Sequence, residues 1–367
     1  MEPLQASAVA LCGGAIGCAI GYSAKRGRLC TFGAFEDAFV AGNFRRLKVL
    51  AVALAIALLL IQAMIAAGAL HSETIRYLPL RLPWLGITLG GLLFGFGMAL
   101  VGTCAFGSLV RLGSGDMRSF LVILVYAVAA LAVLRGGLAP IRLDVLESRS
   151  LALPGGIQSD FAALASWLAG LDLRLAVAVT AAGSLLAWAF STRDLFGTPR
   201  LLTSGLVMGL GVAAAWLVTG VLADDMVLTQ TPEGLTFVAP IADLLQAVAL
   251  PAGIWTFGIA SVLGVVAGSF LASVRHDEFR WEAHDDQREM RRHIAGAAAM
   301  GIGGVLAGGC TIGQGLTAGS VLAMSWPLAV GGMAVGARLG LYFLLECPSF
   351  RGALRAAGSR RRTDDGA

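Results

Sequence analysis

Charge is sparse in this chain, and lysine is almost missing from it. Lys25 and Lys48 are the only lysines, so the 27 basic residues are nearly all arginine. Charged residues make up 14% of the sequence, against about a quarter in soluble globular domains. The arginines lie mainly beside apolar runs, where they act as markers of membrane topology. We therefore expect a membrane protein and no nucleic-acid partner.

The usual signatures of metal and redox centres are absent from the sequence. None of the six cysteines forms a C-x-x-C motif, and the four histidines form no H-x-x-x-H motif and no Cys/His cluster. These absences exclude the common zinc, haem and iron–sulfur motifs. We expect neither a metal nor a cofactor. Three of the cysteines read as small packing residues of apolar segments, namely Cys12, Cys18 and Cys347.

Long apolar runs dominate the sequence. The chain is 57% hydrophobic, with a mean hydropathy of +0.79 and 49 glycines among 367 residues, and a helix needs about 20 apolar residues to cross a bilayer. The sequence therefore predicts an all-α polytopic membrane protein, with residues 1–367 forming a single membrane domain. We predict nine spans, the seventh broken at Pro251 or beginning with an interfacial piece. They are Ala6–Ala24, Val49–Leu70, Pro83–Thr103, Phe120–Leu134, Leu173–Phe190, Leu201–Leu222, Ile241–Val274, Ile294–Cys310 and Ser325–Leu345.

The loops between these spans alternate in charge. Basic loops follow the first, third, fifth, seventh and ninth spans, whereas acidic or mixed loops follow the others. Because basic loops stay in the cytoplasm, the N-terminus is predicted outside and the C-terminus inside. The apolar stretch around Cys30 is too short to cross and predicts a re-entrant or interfacial helix.

One motif occurs twice. Gly95–Ser114 and Gly301–Ser320 both read G-x-G-x-x-x-x-G-x-C-x-x-G, followed by Gly-Ser at the same distance. The repeat predicts an internal duplication with halves at residues 6–134 and 201–345, linked by residues 135–200. In the predicted topology, one copy runs inward and the other outward, which is typical of an inverted repeat with discontinuous helices.

Each copy places a cysteine between glycines at a predicted helix break. Glycines let the backbone leave helical geometry and bring N–H groups close to a ligand, and they are Gly102 and Gly107 around Cys104, and Gly308 and Gly313 around Cys310. We expect neutral thiols in these apolar surroundings. A neutral thiol adds a soft contact and a weak S–H donor, which suits the sulfane sulfur of thiosulfate better than a hard anion such as sulfate.

Two further residues are candidates whose roles the residues alone leave open. Cys30 also has a glycine three positions later, but it lies outside the repeated motif, so packing and function are equally compatible with it. Arg338 lies within the ninth span. A cation there could line an anion path, and snorkelling toward the nearby interface explains it equally well.

Three segments together resemble a known family. RGRLCTFGAFED around Cys30, GFGMALVGTCAFGSLVRLGSGDMRS around Cys104 and GGVLAGGCTIGQGLTAGS around Cys310 are similar to motifs of the YeeE/YedE family of sulfur-transport membrane proteins. The resemblance covers essentially the whole chain. It implies a transporter, not an enzyme, that takes up thiosulfate across the bacterial inner membrane. It also implies an hourglass-shaped helical fold in which Cys30, Cys104 and Cys310 are successive relay points.

Other functions stay open at this stage. A cysteine could accept sulfane sulfur as a persulfide and pass it to a small cytoplasmic sulfur-carrier protein, which is also the partner that the resemblance implies. A selenium-related substrate is a second alternative. A purely structural membrane protein would explain the glycines but not the repeated cysteines.

Overall fold

The computed structural model describes residues 2–222, 232–249, 255–283 and 286–346. Helices dominate this part of the chain, which confirms the all-α polytopic class. In chain order they are α1 (Glu2–Gly27), α2 (Thr31–Val40), α3 (Arg45–Ala66), α4 (Trp84–Val101), α5 (Ala105–Gly113), α6 (Met117–Leu134), α7 (Phe161–Ala169), α8 (Arg174–Ala189), α9 (Pro199–Leu217), α10 (Ala239–Ala249), α11 (Phe257–Arg275), α12 (Gln287–Leu306) and α13 (Ser325–Glu346).

Short elements connect the helices. The strands β1 (Arg81–Leu82) and β2 (Leu151–Ala152) form one antiparallel pair, with Arg81 opposite Ala152. The remaining elements are 3₁₀ turns at Ser72–Thr74, Pro154–Gly156 and Arg193–Leu195, a single helical turn at Ala139–Ile141, and π-helical turns at Arg142–Glu147, Val218–Leu222 and Gly313–Ala318.

Seven segments of the described residues are long and apolar enough to cross a membrane. In α3, residues 49–65 contain neither glycine nor proline and are mostly alanine, leucine, isoleucine and valine, a composition that favours an apolar helix. Two predicted spans are not among them: the fifth corresponds to α8, which is apolar but shorter, and the eighth, Ile294–Cys310, corresponds to α12. The predicted total of nine spans therefore stays a prediction. The seven segments are Ser7–Val40, Arg45–Ala66, Trp84–Gly113, Met117–Leu134, Pro199–Val221, Phe257–Arg275 and Ser325–Leu345.

Several interruptions occur where the sequence suggested them. The segment after α1 forms the short helix α2, and the long seventh run is divided into α10 and α11. The predicted fifth span corresponds to α8. A separate short helix, α7, precedes it, with Gly170 in the left-handed region (φ +66°) between them. α12 begins before the predicted Ile294, at Gln287, because the Asp286 carboxylate caps it by accepting a hydrogen bond from the Arg288 N–H;.

Glycines allow close packing between helices that run in the same direction. A Cβ on Gly17 would overlap the Ser261 backbone, and one on Gly21 would overlap the Val265 backbone. Because residue numbers at these contacts increase together along both helices, α1 and α11 are parallel. α4 packs on α13 in the same way, with Gly91 against the backbone of Ala329. Small residues of this kind are the usual means by which membrane helices approach closely.

α4 and α12, which carry the two copies of the repeated motif, run in opposite directions. Gly90 of α4 packs against Leu306 near the end of α12, whereas Gly97 packs against Gly296 nearer its start. The two cysteine motifs therefore leave this helix pair at opposite ends. This opposed arrangement determines how the site is built.

Some sequence features fall outside the described residues. Cys347, Pro251 and the basic residues after Pro348 belong to this group, as do Asp224 and Asp225 of the predicted acidic loop.

Candidate functional site

Cys104 lies at a break between two helices. α4 ends at Val101, and Gly102 adopts the left-handed conformation (φ +77°) that turns the chain out of the helix;. Cys104 then caps α5, because its sulfur accepts a hydrogen bond from the Gly107 N–H at 3.3 Å. The thiol is thereby held at the positive N-terminal end of a nine-residue helix;.

Cys310 has the same local geometry. α12 ends at Leu306, and Gly308 is left-handed (φ +72°), as Gly102 is in the first copy. The Cys310 sulfur accepts a hydrogen bond from the Gly313 N–H at 3.4 Å. The Cys104 and Cys310 side chains are both fully buried, at 0% exposure, so neither faces lipid.

The three cysteine motifs meet in the interior. The Cys30 sulfur lies 3.7 Å from the Thr103 hydroxyl oxygen. A Cβ on Gly107 would lie 3.3 Å from the Cys30 sulfur and 3.5 Å from the Cys104 sulfur, so the two thiols border the same space. The next residues in the chain, Thr31 and Thr311, share a hydrogen bond of 2.8 Å between their buried hydroxyl groups. The Cys30 and Cys310 segments are therefore in direct contact. Phe106 and Phe237 pack together beside them, with 5.3 Å between ring centroids.

Two separate cavities approach this centre. One, here called the Cys30 cavity, has a volume of about 560 Å³ and reaches Cys30, Gly102, Thr103 and Gly107. The other, the Gly308 cavity, has a volume of about 680 Å³ and reaches Gly308 and its neighbours just before Cys310. The cavities share no lining residue among those described.

The helices place the cavities at opposite ends of the membrane-spanning bundle. α4 begins beside the Gly308 cavity, at Pro83 and Gly86, and ends beside the Cys30 cavity at Gly102. α6 runs the other way, from Arg118 at the Cys30 cavity to Arg135 at the Gly308 cavity. The protein thus has two vestibules separated by a buried layer, and this layer contains the three cysteine motifs.

Basic residues outnumber acidic ones around the Cys30 cavity. Its acidic members are Glu36, Asp116, Glu278 and Glu282, and its basic members are Lys25, Arg28, Arg46, Arg111, Arg118 and Arg280. Lys25 and Arg118 are paired with carboxylates of the same cavity, and Arg46 is paired with Asp37. Arg28, Arg111 and Arg280 have no ion-pair partner in the described part of the chain.

Arg111 is the cation nearest the break in α4. Its guanidinium donates a hydrogen bond of 3.2 Å to the Gly102 carbonyl oxygen. In the second copy, the hydrogen bond to the end of the helix comes from a neutral side chain. The Gln314 amide donates it to the Ala307 carbonyl oxygen at 2.8 Å. The Gln314 oxygen in turn accepts a hydrogen bond from Ser325. The break near the Cys30 cavity therefore carries a positive charge that its counterpart lacks.

Hydroxyl groups line the Gly308 cavity beside Cys310. A Cβ on Gly313 would lie 2.7 Å from the Thr236 hydroxyl oxygen and 3.2 Å from that of Tyr77. Burial raises the pKa of the Tyr77 phenol, so this group is a protonated donor at neutral pH. Arg76 supplies a positive charge to the same cavity.

The sequence motifs did not indicate Thr236, Tyr77 or Arg111 as site residues. The sequence did contain a signal for Thr236, because Cys30 and Thr236 are separated by the same number of residues as Cys104 and Cys310. Thr236 lies beside Gly313 much as Cys30 lies beside Gly107. No comparable pattern indicated Tyr77 or Arg111, which reach the site only through the packing of loops and helices.

Arg338 is placed away from the cysteines. It lies on the exposed face of α13, with its guanidinium 5.9 Å from the centre of the Phe39 ring. This cation–π contact at the periphery fits the snorkelling interpretation. Arg338 lines neither the Cys30 cavity nor the Gly308 cavity.

Comparison with known proteins agrees with this architecture. Residues 26–339 match the model of a family described as Sulphur transport. The chain is 29% identical over 322 residues to the thiosulfate transporter TsuA of Escherichia coli (strain K12), which covers 84% of this chain and 87% of that protein. It is 26% identical over 330 residues to the thiosulfate transporter TsuA of Spirochaeta thermophila, covering 86% and 92% respectively. Because the family model spans most of the sequence, this chain belongs to the sulphur transport family of multi-pass membrane proteins.

Proposed function

We propose that this protein takes up thiosulfate across the bacterial inner membrane. The ion passes from the Gly308 cavity to the Cys30 cavity, with Cys310, Cys104 and Cys30 as successive relay sites. The observation that carries the proposal is the buried layer between the two cavities, in which all three cysteine motifs meet. The thiosulfate transporter names of the two relatives support the substrate.

The chemistry of the layer suits an anion that contains sulfur. A charge in the hydrocarbon region costs several kcal/mol, so donors of the protein must replace the water around a thiosulfate dianion. The hydroxyl groups of Tyr77 and Thr236 can donate to its oxygens, while the N–H groups of Gly107 and Gly313 hold the two buried thiols in place. The thiols offer soft contacts for its terminal sulfur. Several modest sites suit passage better than one tight site, because the ion must also leave.

The proposed orientation places the Cys30 cavity in the cytoplasm and the Gly308 cavity outside. The N-terminus is then outside and the C-terminus inside, as the basic loops favour. Residues 6–134 and 201–345 act as inverted halves of one transport domain. The antiparallel α4 and α12 and the matching left-handed glycines Gly102 and Gly308 support this arrangement.

Uptake into proteoliposomes tests the proposal directly. We expect the purified protein to accumulate labelled thiosulfate, and unlabelled thiosulfate to compete far better than sulfate. The reason is that sulfate has oxygens but no sulfane sulfur for the thiols. Selenosulfate as a competitor tests the selenium-related alternative. Absence of protein-dependent thiosulfate uptake, or equal competition by sulfate, would contradict the proposal.

A sulfurtransferase-like function is the second candidate. Cys30 lines the Cys30 cavity, where its thiol can lose its proton to water and become a thiolate. That thiolate could attack the sulfane sulfur of thiosulfate, break its S–S bond, release sulfite and become a persulfide for a small cytoplasmic sulfur carrier. Intact mass after incubation with thiosulfate separates the two functions. Simple permeation adds no mass, whereas the alternative adds one sulfur atom and releases one sulfite.

Arg111 is expected to bind the anion after it passes Cys30 and Cys104. Arg111→Gln should raise the KM for thiosulfate uptake by at least about tenfold, because a hydrogen bond to a charged group contributes about 1.5–3 kcal/mol. Arg111→Lys keeps the charge and should recover part of the affinity. Arg275→Gln, at an exposed cation at the end of α11 that lines neither cavity, is the matched control. An unchanged KM in Arg111→Gln would exclude this role.

A further inference from the structure

A pocket at the start of α3 is lined by two basic side chains. It has a volume of about 500 Å³ and lies between the start of α3 and the end of α8. Arg45 and Lys48 contribute positive charges, and the exposed Asp194 contributes one negative charge. Arg46, next to Arg45 in the chain, lines the Cys30 cavity instead. The pocket is therefore at the same end of the bundle as the Cys30 cavity but is separate from it.

Lys48 is buried there without a counter-ion. Its residue exposure is only 6%. The ammonium group donates hydrogen bonds to the hydroxyl oxygens of Ser191 at 3.2 Å and Thr192 at 2.6 Å. These partners are neutral, and no described carboxylate is within ion-pair distance. A buried charge is costly unless an opposite charge accompanies it, so this pocket is suited to an anion.

An apolar cleft lies next to this pocket, on the other side of Trp188. Its volume is about 180 Å³, and Trp188 lines both the pocket and the cleft. The other walls are mainly aliphatic and aromatic side chains of membrane-spanning helices, including Leu50 and Leu54 of α3 and Val330 of α13. Its inner end reaches Thr31 and Thr311. A cationic pocket followed by an apolar cleft matches the two parts of a phospholipid.

We propose that Arg45, Lys48 and the cleft beyond Trp188 form a binding site for one anionic phospholipid. The phosphate lies between the two cations, and one acyl chain occupies the cleft up to the Thr31–Thr311 hydrogen bond. Basic pockets between membrane helices on the cytoplasmic side are known to receive lipid head groups. A free phosphate ion would satisfy the cations but would leave the cleft empty, which is why we assign the site to a lipid.

The site gives the lipid a way to influence transport. The acyl chain would pack against the hydrogen bond that joins the Cys30 and Cys310 segments. An occupied cleft would hold α2, α3 and α13 around that contact. The lipid site is argued independently of the substrate, and its occupancy can be measured without any transport assay.

Native mass spectrometry of the detergent-solubilised full chain tests the site. We expect one phosphatidylglycerol to be retained per chain, more strongly than phosphatidylcholine. Arg45→Gln and Lys48→Gln should each weaken retention by about fivefold, since a basic residue near a lipid head group contributes about 1 kcal/mol. Arg45 is exposed, so its replacement answers the question even if Lys48→Gln fails to fold. Arg291→Gln, at an exposed cation on α12, is the matched control.

Two further measurements separate the lipid from a free anion. Ala51→Phe fills the cleft and should lower phosphatidylglycerol retention, and brominated acyl chains should quench fluorescence less in Trp188→Phe than in the parent protein. Equal retention in the Arg45, Lys48 and Arg291 variants would overturn the proposal. Displacement of the lipid by millimolar inorganic phosphate, with no effect of Ala51→Phe, would assign the pocket to a free anion instead.

Discussion

Thiosulfate uptake is expected to fall to background when Cys104 or Cys310 is replaced by alanine, while the protein still folds and inserts into the membrane. Each thiol is fully buried in the layer between the two cavities and is held by one backbone N–H group. Alanine removes the soft contact that the passing sulfur would make and leaves that N–H without its partner. The folding penalty is about 1–3 kcal/mol for an unsatisfied buried donor, which a membrane domain of this size can tolerate.

The measurement is labelled thiosulfate uptake in proteoliposomes, normalised to the amount of folded protein from size-exclusion chromatography. Cys12→Ala and Cys18→Ala are the matched controls, because both residues lie on α1 outside the three motifs. Both variants should transport at the parental rate. Serine at position 104 or 310 keeps a hydrogen-bonding group but loses the polarisable sulfur, so recovery by serine would show that hydrogen bonding suffices. Uptake by the alanine variants at the parental rate would rule out the relay.

The sequence was sufficient to predict the membrane class and the interruptions in the helices. Apolar length and glycine content are local properties, and a bilayer imposes few alternatives to helices. The exact ends were less predictable, because they depend on individual caps. Asp286 extends α12 into the charged segment that precedes the predicted start at Ile294, whereas the predicted span Leu173–Phe190 closely matches α8.

For the site, the repeated motif predicted the local structure around Cys104 and Cys310 but not their surroundings. The left-handed glycines Gly102 and Gly308 follow from the sequence, because glycine adopts that conformation without strain. Which side chains face the cysteines depends on packing between distant segments. Thr236 could have been found by applying the repeat spacing to Cys30. Tyr77 could not, since the loop that carries it has no counterpart signal.

Gly107→Ala is expected to reduce uptake at least about tenfold with little loss of folded protein. A Cβ at this position would overlap the Thr103 hydroxyl oxygen, and it would lie 3.3 Å from the Cys30 sulfur and 3.5 Å from the Cys104 sulfur. The added methyl group therefore occupies the space that both thiols border. Overpacking costs about 1–3 kcal/mol, whereas alanine in place of glycine within α5 returns about 0.5–1 kcal/mol of helix stability. The gain offsets part of the cost, so we expect most of the protein still to fold, and the loss of uptake then comes from the obstructed path.

Gly183→Ala is the matched control, because nothing lies within 4 Å of a Cβ at that position of α8. It should leave uptake unchanged and raise stability by about 0.5–1 kcal/mol. The double variant Thr103→Ala/Gly107→Ala distinguishes two causes of the loss. If the methyl group acts by pushing the Thr103 hydroxyl into the Cys30 thiol, removing that hydroxyl should restore most of the uptake. If the methyl group itself blocks the anion between the two sulfur atoms, the double variant stays inactive. Parental uptake by Gly107→Ala alone would mean that the substrate does not pass between Cys30 and Cys104, and the order of relay sites would have to be abandoned.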